Sequence, residues 1–427
     1  MAERHDPFAA LRQRTFQFYL VSRFGGGMAM MLVQSALFWQ VYDITGSKWQ
    51  IAITGLVQFI PSLGLSLVAG ALADSIDRRK ISVVAQSLMA LAIGGLCINA
   101  LSSDPQLAAI YGLILINGTA GVFDAPARAG ILPLTLTKET FANGIVVSGV
   151  AQQLSFVSGP ALGGLLIWLS GVGLAFGVAA GLIASSVLIT ATLRLRIEDI
   201  AKRAVSLQGI VEGVRFVRRR PEVLGSMTLD MFAVIFGGAT ALLPIYAREI
   251  LDVGSLGYGL LLGAIDGGAL IMSLVMVFVP LPKRPGKVLL FAVAGFGLAT
   301  IIFGLSRSFA LSLTACALIG MSDQVSVVMR QTTIQLATPD ALRGRVTSVN
   351  MLFIGASNRL GAVESGAVAA LTTTTFAVVS GGFGTLAVLG AVAWKMPGLA
   401  RYRTDAKPVE VVGEATPAAA ATAAGGS

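Results

Sequence analysis

Apolar stretches of twenty or so residues follow one another from Phe16 to Trp394, separated by short polar breaks. About twenty residues of α-helix cross a hydrocarbon core of about 30 Å, so each stretch is long enough to span a bilayer. The pattern predicts twelve spans, over residues 17–42, 50–73, 81–102, 107–129, 142–169, 171–193, 224–250, 256–280, 287–306, 309–337, 344–370 and 374–396. The strands of a membrane barrel would instead alternate in polarity over about ten residues, and no such alternation is present. The expected fold class is an all-α membrane protein with twelve transmembrane helices in two six-helix halves.

The longest polar interruption, Arg194 to Glu222, separates spans 6 and 7. The predicted organisation is a tail at 1–16, a six-helix half at 17–193, a linker at 194–223, a second half at 224–397 and a tail at 398–427. That last tail ends in the low-complexity run EATPAAAATAAGGS, a composition that predicts disorder. In the linker, Leu207, Ile210, Val211, Val214 and Val217 recur at helical spacing, with Arg215, Arg218, Arg219 and Arg220 close behind and Pro221 ending the pattern. It is either an amphipathic helix lying on the membrane face or a plain solvated linker. A shift of 202 residues lays Gly118 on Gly320 and Arg128 on Arg330, and SGPALGG from Ser158 on LGAVESG from Leu360, matching Gly159 with Gly361 and Gly164 with Gly366. The identities are few, and they are how an internal duplication shows itself. Two related halves enclosing a site near the bilayer midplane are an arrangement of secondary transporters.

Composition agrees with the pattern: the 427 residues are 55% hydrophobic and 12% charged, about half the charge of a soluble domain. The net charge of +9 raises the question of nucleic acid, and placement answers it. One side of the predicted topology receives Arg4, Arg12, Arg14, Arg78, Arg79, Lys80, Lys138, Arg194, Arg196, Lys202, Arg203, Arg215, Arg218, Arg219 and Arg220. The same side takes Lys283, Arg284, Lys287, Arg343, Arg345, Arg401, Arg403 and Lys407, while Lys48, Arg248 and Arg307 fall opposite. Such a bias marks the cytoplasmic side and predicts that both termini lie there, in a multi-pass plasma membrane protein that binds no nucleic acid. The first apolar run is too long for a signal-peptide core. Cys97 and Cys316 fall inside predicted spans and His5, the single histidine, in the tail, which leaves no disulfide framework, metal site or cofactor to read. Nothing matches G-x-x-x-x-G-K-[ST], so no ATP hydrolysis is expected, and the chain is not expected to be an enzyme. A gradient remains as the energy source: 100 mV is worth about 2.3 kcal/mol per charge.

A charge inside a span costs about 2.5–3.5 kcal/mol at the helix centre on insertion scales and belongs in the bundle interior. Arg23, Asp124, Asp230, Asp266, Asp323, Arg330, Arg359 and Glu364 are so placed. Asp266 interrupts GLLLGAIDGGALIMSL with no base in the same span. It is the leading candidate for a proton carrier, or it is the acid of an ion pair with Arg359 or Arg23. Asp323 and Arg330 lie two turns apart on one face, bracketing a polar ligand or belonging to a fixed network. Arg23 and Asp230 sit at like depths in spans 1 and 7, as a gate across the halves or as ordinary packing. Asp124 and Arg128, four residues apart, pair with each other unless Arg128 reaches Asp74. Arg359 and Glu364 share span 11, with cavity and structural roles open. Gly159, Gly163 and Gly164 in span 5 allow close helix approach, and Pro160 loosens one backbone bond. Of the aromatics at the outer end, Phe38, Trp39, Tyr42 and Trp49, most are expected to be interfacial anchors.

GALADSIDRRK, Gly70 to Lys80, resembles the loop 2–3 signature of the major facilitator superfamily, G-x-L-A-D-x-x-G-R-R, with Asp77 where many members have glycine. The resemblance implies the major facilitator fold. It also implies that Asp74, with Gly70, Arg78, Arg79 and Arg128 around it, forms a cytoplasmic latch holding the halves together in the outward-facing state. Further stretches, PFAALRQRTFQFYLVSRF, WQVYDITGS, DAPARAGILP, SLQGIVEGVRFVRRRP and TPDALRGRV, are similar to the exporters grouped with the enterobactin and macrolide efflux proteins, from about Pro7 to Pro397. SGPALGG resembles an element of drug–proton antiporters, and span 11 is where the resemblance expects a cavity wall. The implied function is export of a siderophore or other small organic molecule by alternating access against proton entry, by a monomer in the bilayer. Broad multidrug or macrolide efflux is the alternative, and a non-transporting sensor or scaffold the alternative of another class.

Overall fold

The structure, a computed structural model, describes residues 9–137, 139–193, 207–237, 239–280 and 282–402. The first helices are α1 (Arg14–Thr45), α2 (Lys48–Ser75), α3 (Arg78–Leu101), α4 (Leu107–Ile131) and α5 (Phe141–Thr192). They are followed by the linker helix α6 (Leu207–Arg219), then α7 (Pro221–Phe236), α8 (Gly254–Phe278), α9 (Pro285–Leu305), α10 (Phe309–Ala337), α11 (Asp340–Leu371), α12 (Thr374–Lys395) and the short α13 (Pro397–Arg401). α5 is two limbs: Ser170 and Gly171 leave the helical region, with Gly171 at φ 79°, and the chain turns back there. Along α1, Met31 and Ser35 face Gly159 and Gly163 of the first limb, while Ser22 and Gly25 face Ser186 and Leu182 of the second. The first limb therefore runs parallel to α1 and the second antiparallel. With α5 counted twice, α1–α5 and α7–α12 make twelve long helical segments among the described residues, and eight helices there, α5 counted once, are long and apolar enough to cross a membrane.

Local chemistry explains the ends. α1 stops at Gly46, whose φ of 56° suits glycine and whose N–H reaches the Tyr42 carbonyl at 2.8 Å. Asp77, the residue that departs from the loop signature, is the N-cap of α3: its carboxylate accepts from the Arg79 N–H at 2.9 Å, at a φ of −53° that requires no glycine. The span expected at 224–250 is not one helix. It breaks at Gly237, where the Phe296 ring occupies the place of a side chain, and resumes as the turns Ala239–Leu242, Leu243–Ile245 and Tyr246–Ile250, with Pro244 able to donate nothing to a helix. The tail expected to be disordered from 398 begins instead with α13, because Leu399 is buried against Leu229, Leu289 and Val392. Residues 403–427 of that tail and 1–8 of the one at 1–16 lie outside the described residues.

Large apolar side chains such as Leu91, Ile98 and Phe278 face outward, as they must where lipid replaces water. Within the first half α1 packs on both limbs of α5, and α3 on α4 and α5; within the second, α9 packs on α10 and α12, and α8 on α10. The halves meet through α2 with α11 and through α5 with α8. This interface is two-fold in the sense of the 202-residue shift. A Cβ on Gly164 of α5 would lie 2.5 Å from Gly259 Cα of α8, and one on Gly366 of α11 would lie 2.7 Å from the Ala52 nitrogen of α2. Gly118 of α4 likewise faces Pro61 of α2 as Gly320 of α10 faces Ile265 of α8.

Candidate functional site

The second half holds a buried ionic centre. Arg330 of α10 is 3% exposed and places Nε 3.2 Å from Asp230 Oδ1 of α7, near enough for an ion pair although off the hydrogen-bond axis. Its Nη1 donates to Asn350 Oδ1 of α11 at 2.9 Å. Three helices are thereby tied by one guanidinium. Asp230 and Asp323 line a common cavity of about 10 Å³ with Ser326 and Phe296, room for about one water. Asp266 sits one residue from Ile265, where α8 crosses α10 backbone to backbone at Gly320. Asp323, one turn further along α10, lies within Coulombic reach of it. Asp230 and Arg330 act on Asp323 in the same way. Arg330 thus serves two carboxylates, Asp230 and Asp323, and Asp266 lies near the second of them. Among the described residues Asp266 has no ion-pair or hydrogen-bond partner, so neither Arg359 nor Arg23 neutralises it here.

The first half is wired differently. Arg128 holds Asp124 of its own helix, with Nη2 at 2.7 Å from Oδ2, and it fills the space beside Gly26 of α1. The other carboxylate oxygen accepts from Ser82 at 2.5 Å and from Gln86 at 2.9 Å. From Gln86 the chain continues through Ser186 at 2.9 Å to Ser22 at 2.7 Å and Thr190 at 3.0 Å. Every member but Arg128 is buried. Arg23 donates to Gln152 of α5 and to Tyr19, so the structure does not bring it to Asp230. In α11, Glu364 accepts from Ser365 at 3.2 Å, Arg359 is half-buried, and neither has an ion-pair partner among the described residues.

The remaining motif residues divide between the ends of the bundle. Near the linker, Arg78 donates to the carbonyls of Ala73 and Gly130 at 3.3 and 3.2 Å, and Arg79 to that of Leu193 at 3.0 Å. All three acceptors belong to the first half. Gly70 faces open space, and the Asp74 side chain lies outside the described set. At the opposite end the halves are joined by polar ties: Tyr42 donates to Glu249, Arg248 pairs with Asp43, and Tyr258 donates to the Ser35 carbonyl at 3.1 Å. Trp39 packs on Tyr258 with ring centroids 5.4 Å apart, and Phe38 and Tyr42 are buried in the same cluster. Of the four aromatics read as mainly interfacial, only Trp49 is exposed. Periodicity missed these because the partner surface comes from residues more than 200 positions away. Gly159 and Gly163 serve packing on α1, whereas Gly164 serves the contact between halves, beside the Pro160 carbonyl.

Two six-helix halves related by a two-fold repeat, with charges held inside and a shared closed end, define a transporter of the major facilitator type. The fold is that of the nucleoside transporter NupG, with a TM-score of 0.71 at 13% identity over 89% of this chain and 98% of that one. It is also that of a bacterial homologue of the human lysosomal transporter Spinster, inward-facing and occupied, with a TM-score of 0.68 at 14% identity over 93% and 97%. The family of transmembrane secretion effectors matches residues 5–414, and the chain belongs to that family. The enterobactin exporter EntS of Escherichia coli O1:K1 / APEC is 28% identical over 392 residues, 91% of this chain and 93% of its own length. The enterobactin exporter EntS of Shigella dysenteriae serotype 1 is 28% identical over 377 residues, 87% and 89%. The protein is a multi-pass membrane transporter of a small molecule and not an enzyme.

Proposed function

We propose that this protein exports a siderophore or comparable small organic molecule across the inner membrane by alternating access, driven by proton entry, with both termini cytoplasmic. The observation that carries the coupling is the charge imbalance of the second half: Asp230 and Asp323 beside Arg330, with Asp266 beside Asp323 and no second base among the described residues there. Asp230 has the arginine, and a carboxylate in excess of its base in a low-dielectric interior is neutral only with a proton on it. Proton uptake and release there would alter the cost of exposing the centre to either side. The tied end, carrying Asp43, Arg248, Tyr42 and Glu249, is the outer gate in its closed state.

Export rather than uptake is supported by the similarity to enterobactin exporters. The test uses purified protein in liposomes with an imposed pH gradient, and enterobactin and a macrolide as separate cargoes. Gradient-dependent movement of the siderophore supports the reading, movement of the macrolide alone makes the protein a drug pump, and movement of neither sinks transport of this class. In cells, loss of the gene is expected to trap the siderophore inside without changing drug susceptibility.

A further inference from the structure

Near the linker end of the second half, α9 begins with Arg284 as its N-cap, and α12 passes into α13 through Met396. A glycine lets the two meet. A Cβ on Gly286 would fall well inside van der Waals contact with the Leu399 carbonyl, so only glycine permits this approach. Leu399 is 1% exposed, which makes α13 a fixed foot beneath the half. The junction forms a groove of about 320 Å³ lined by Arg284, Lys287, Ala393, Pro397, Ala400 and Arg401. The lining contains three cations and no acid, and none of the three has an ion-pair partner among the described residues. Glu222, which acts on the neighbouring Tyr402, is already paired with Arg220 at 3.8 Å.

The groove opens onto bare apolar surface. Phe291, one turn along α9 from Lys287, is 76% exposed, and Trp394 beside Ala393 is 80% exposed. In a bundle that crosses a bilayer such a surface belongs to acyl chains, and a cationic rim at its end belongs to phosphate. A zwitterionic headgroup would bring an ammonium against three positive side chains. We infer that the groove binds one anionic phospholipid, its phosphate among Arg284, Lys287 and Arg401 and its acyl chains along Phe291 and Trp394. The lipid would then hold α13 and the start of α9 at the membrane surface.

Trp394 is one of four tryptophans, so the difference between the intact protein and Trp394→Phe isolates its fluorescence. Full-length protein in neutral detergent is titrated with phosphatidylglycerol or phosphatidylcholine carrying brominated acyl chains, which quench on contact. Phosphatidylglycerol is expected to quench Trp394 at about tenfold lower mole fraction, in keeping with attraction by several basic side chains. Combined Arg284→Gln, Lys287→Gln and Arg401→Gln should remove the preference, and Arg284→Lys with Arg401→Lys should keep it. Arg215→Gln, Arg218→Gln and Arg219→Gln, removing equal charge from α6, should also keep it. Equal quenching by the two lipids in the intact protein, or equal loss of preference in the α6 variant, overturns the site. Full displacement of phosphatidylglycerol by excess inorganic phosphate overturns the lipid as its ligand.

Discussion

Arg330 is the residue on which most depends, because its guanidinium is buried against one paired carboxylate and one amide. Removing one partner of a buried pair strands the other, at about 3–5 kcal/mol. Asp230→Ala is therefore expected to lower stability by that order in thermal unfolding of the purified protein, and adding Arg330→Met should recover most of the loss. Asp266 predicts the contrary pattern. It has no partner to strand, so Asp266→Asn should leave unfolding unchanged and substrate binding intact while gradient-driven flux is lost. Flux at the level of the unaltered protein would remove Asp266 from the coupling. The charges themselves are legible in the sequence, since an ionised residue in an apolar run is conspicuous. Their partners are not: Asp230 and Arg330 are separated by a hundred positions and meet only because α7 and α10 pack.

Among the elements, the first limb of α5 and α8 carry the closest approach of the halves, at Gly164 and Gly259. A branched side chain there cannot be absorbed by a rotamer change, because the atoms opposite are backbone. Gly164→Val is expected to disfavour the closed outer end by about 1–3 kcal/mol, a population shift of roughly 5–150-fold, read as longer spin-label distances between the outer ends of α5 and α8. Gly94→Ala, with open space at its Cβ, should leave those distances unchanged. The exposed Asp43–Arg248 pair contributes less, about 0.2–1 kcal/mol as surface bridges do, so Arg248→Ala should shift the same distances only slightly. The glycines of SGPALGG are visible in the sequence as a motif for close packing. Which of them faces a neighbour in the same half and which the other half follows from a rotation of one residue around the helix, and that only the packed bundle specifies.

For the whole molecule, the proposed closure of the tied end as the outer gate makes opposite substitutions move the same equilibrium in opposite directions. Asp74→Asn, weakening a latch that the superfamily resemblance assigns to the other state, is expected to shift the population towards the inward-facing form, measured by spin-label distances on the linker side. No shift would count against the latch. A tag after Ser427 should be reached only by reagents admitted to the cytoplasm. What the sequence by itself determined is the helical membrane class, the apolar segments long enough to span and the polar interruption between Arg194 and Glu222. All of these are set by the cost of placing polar groups in hydrocarbon, a penalty that acts residue by residue along the chain. What only the tertiary structure decided is which charges share a centre, that Asp43, Tyr42 and Ser35 tie the halves together, and that the aromatics of α1 form a seam between halves. Those depend on contacts between segments two hundred residues apart, where burial and pairing, not local hydropathy, determine which partner each side chain finds.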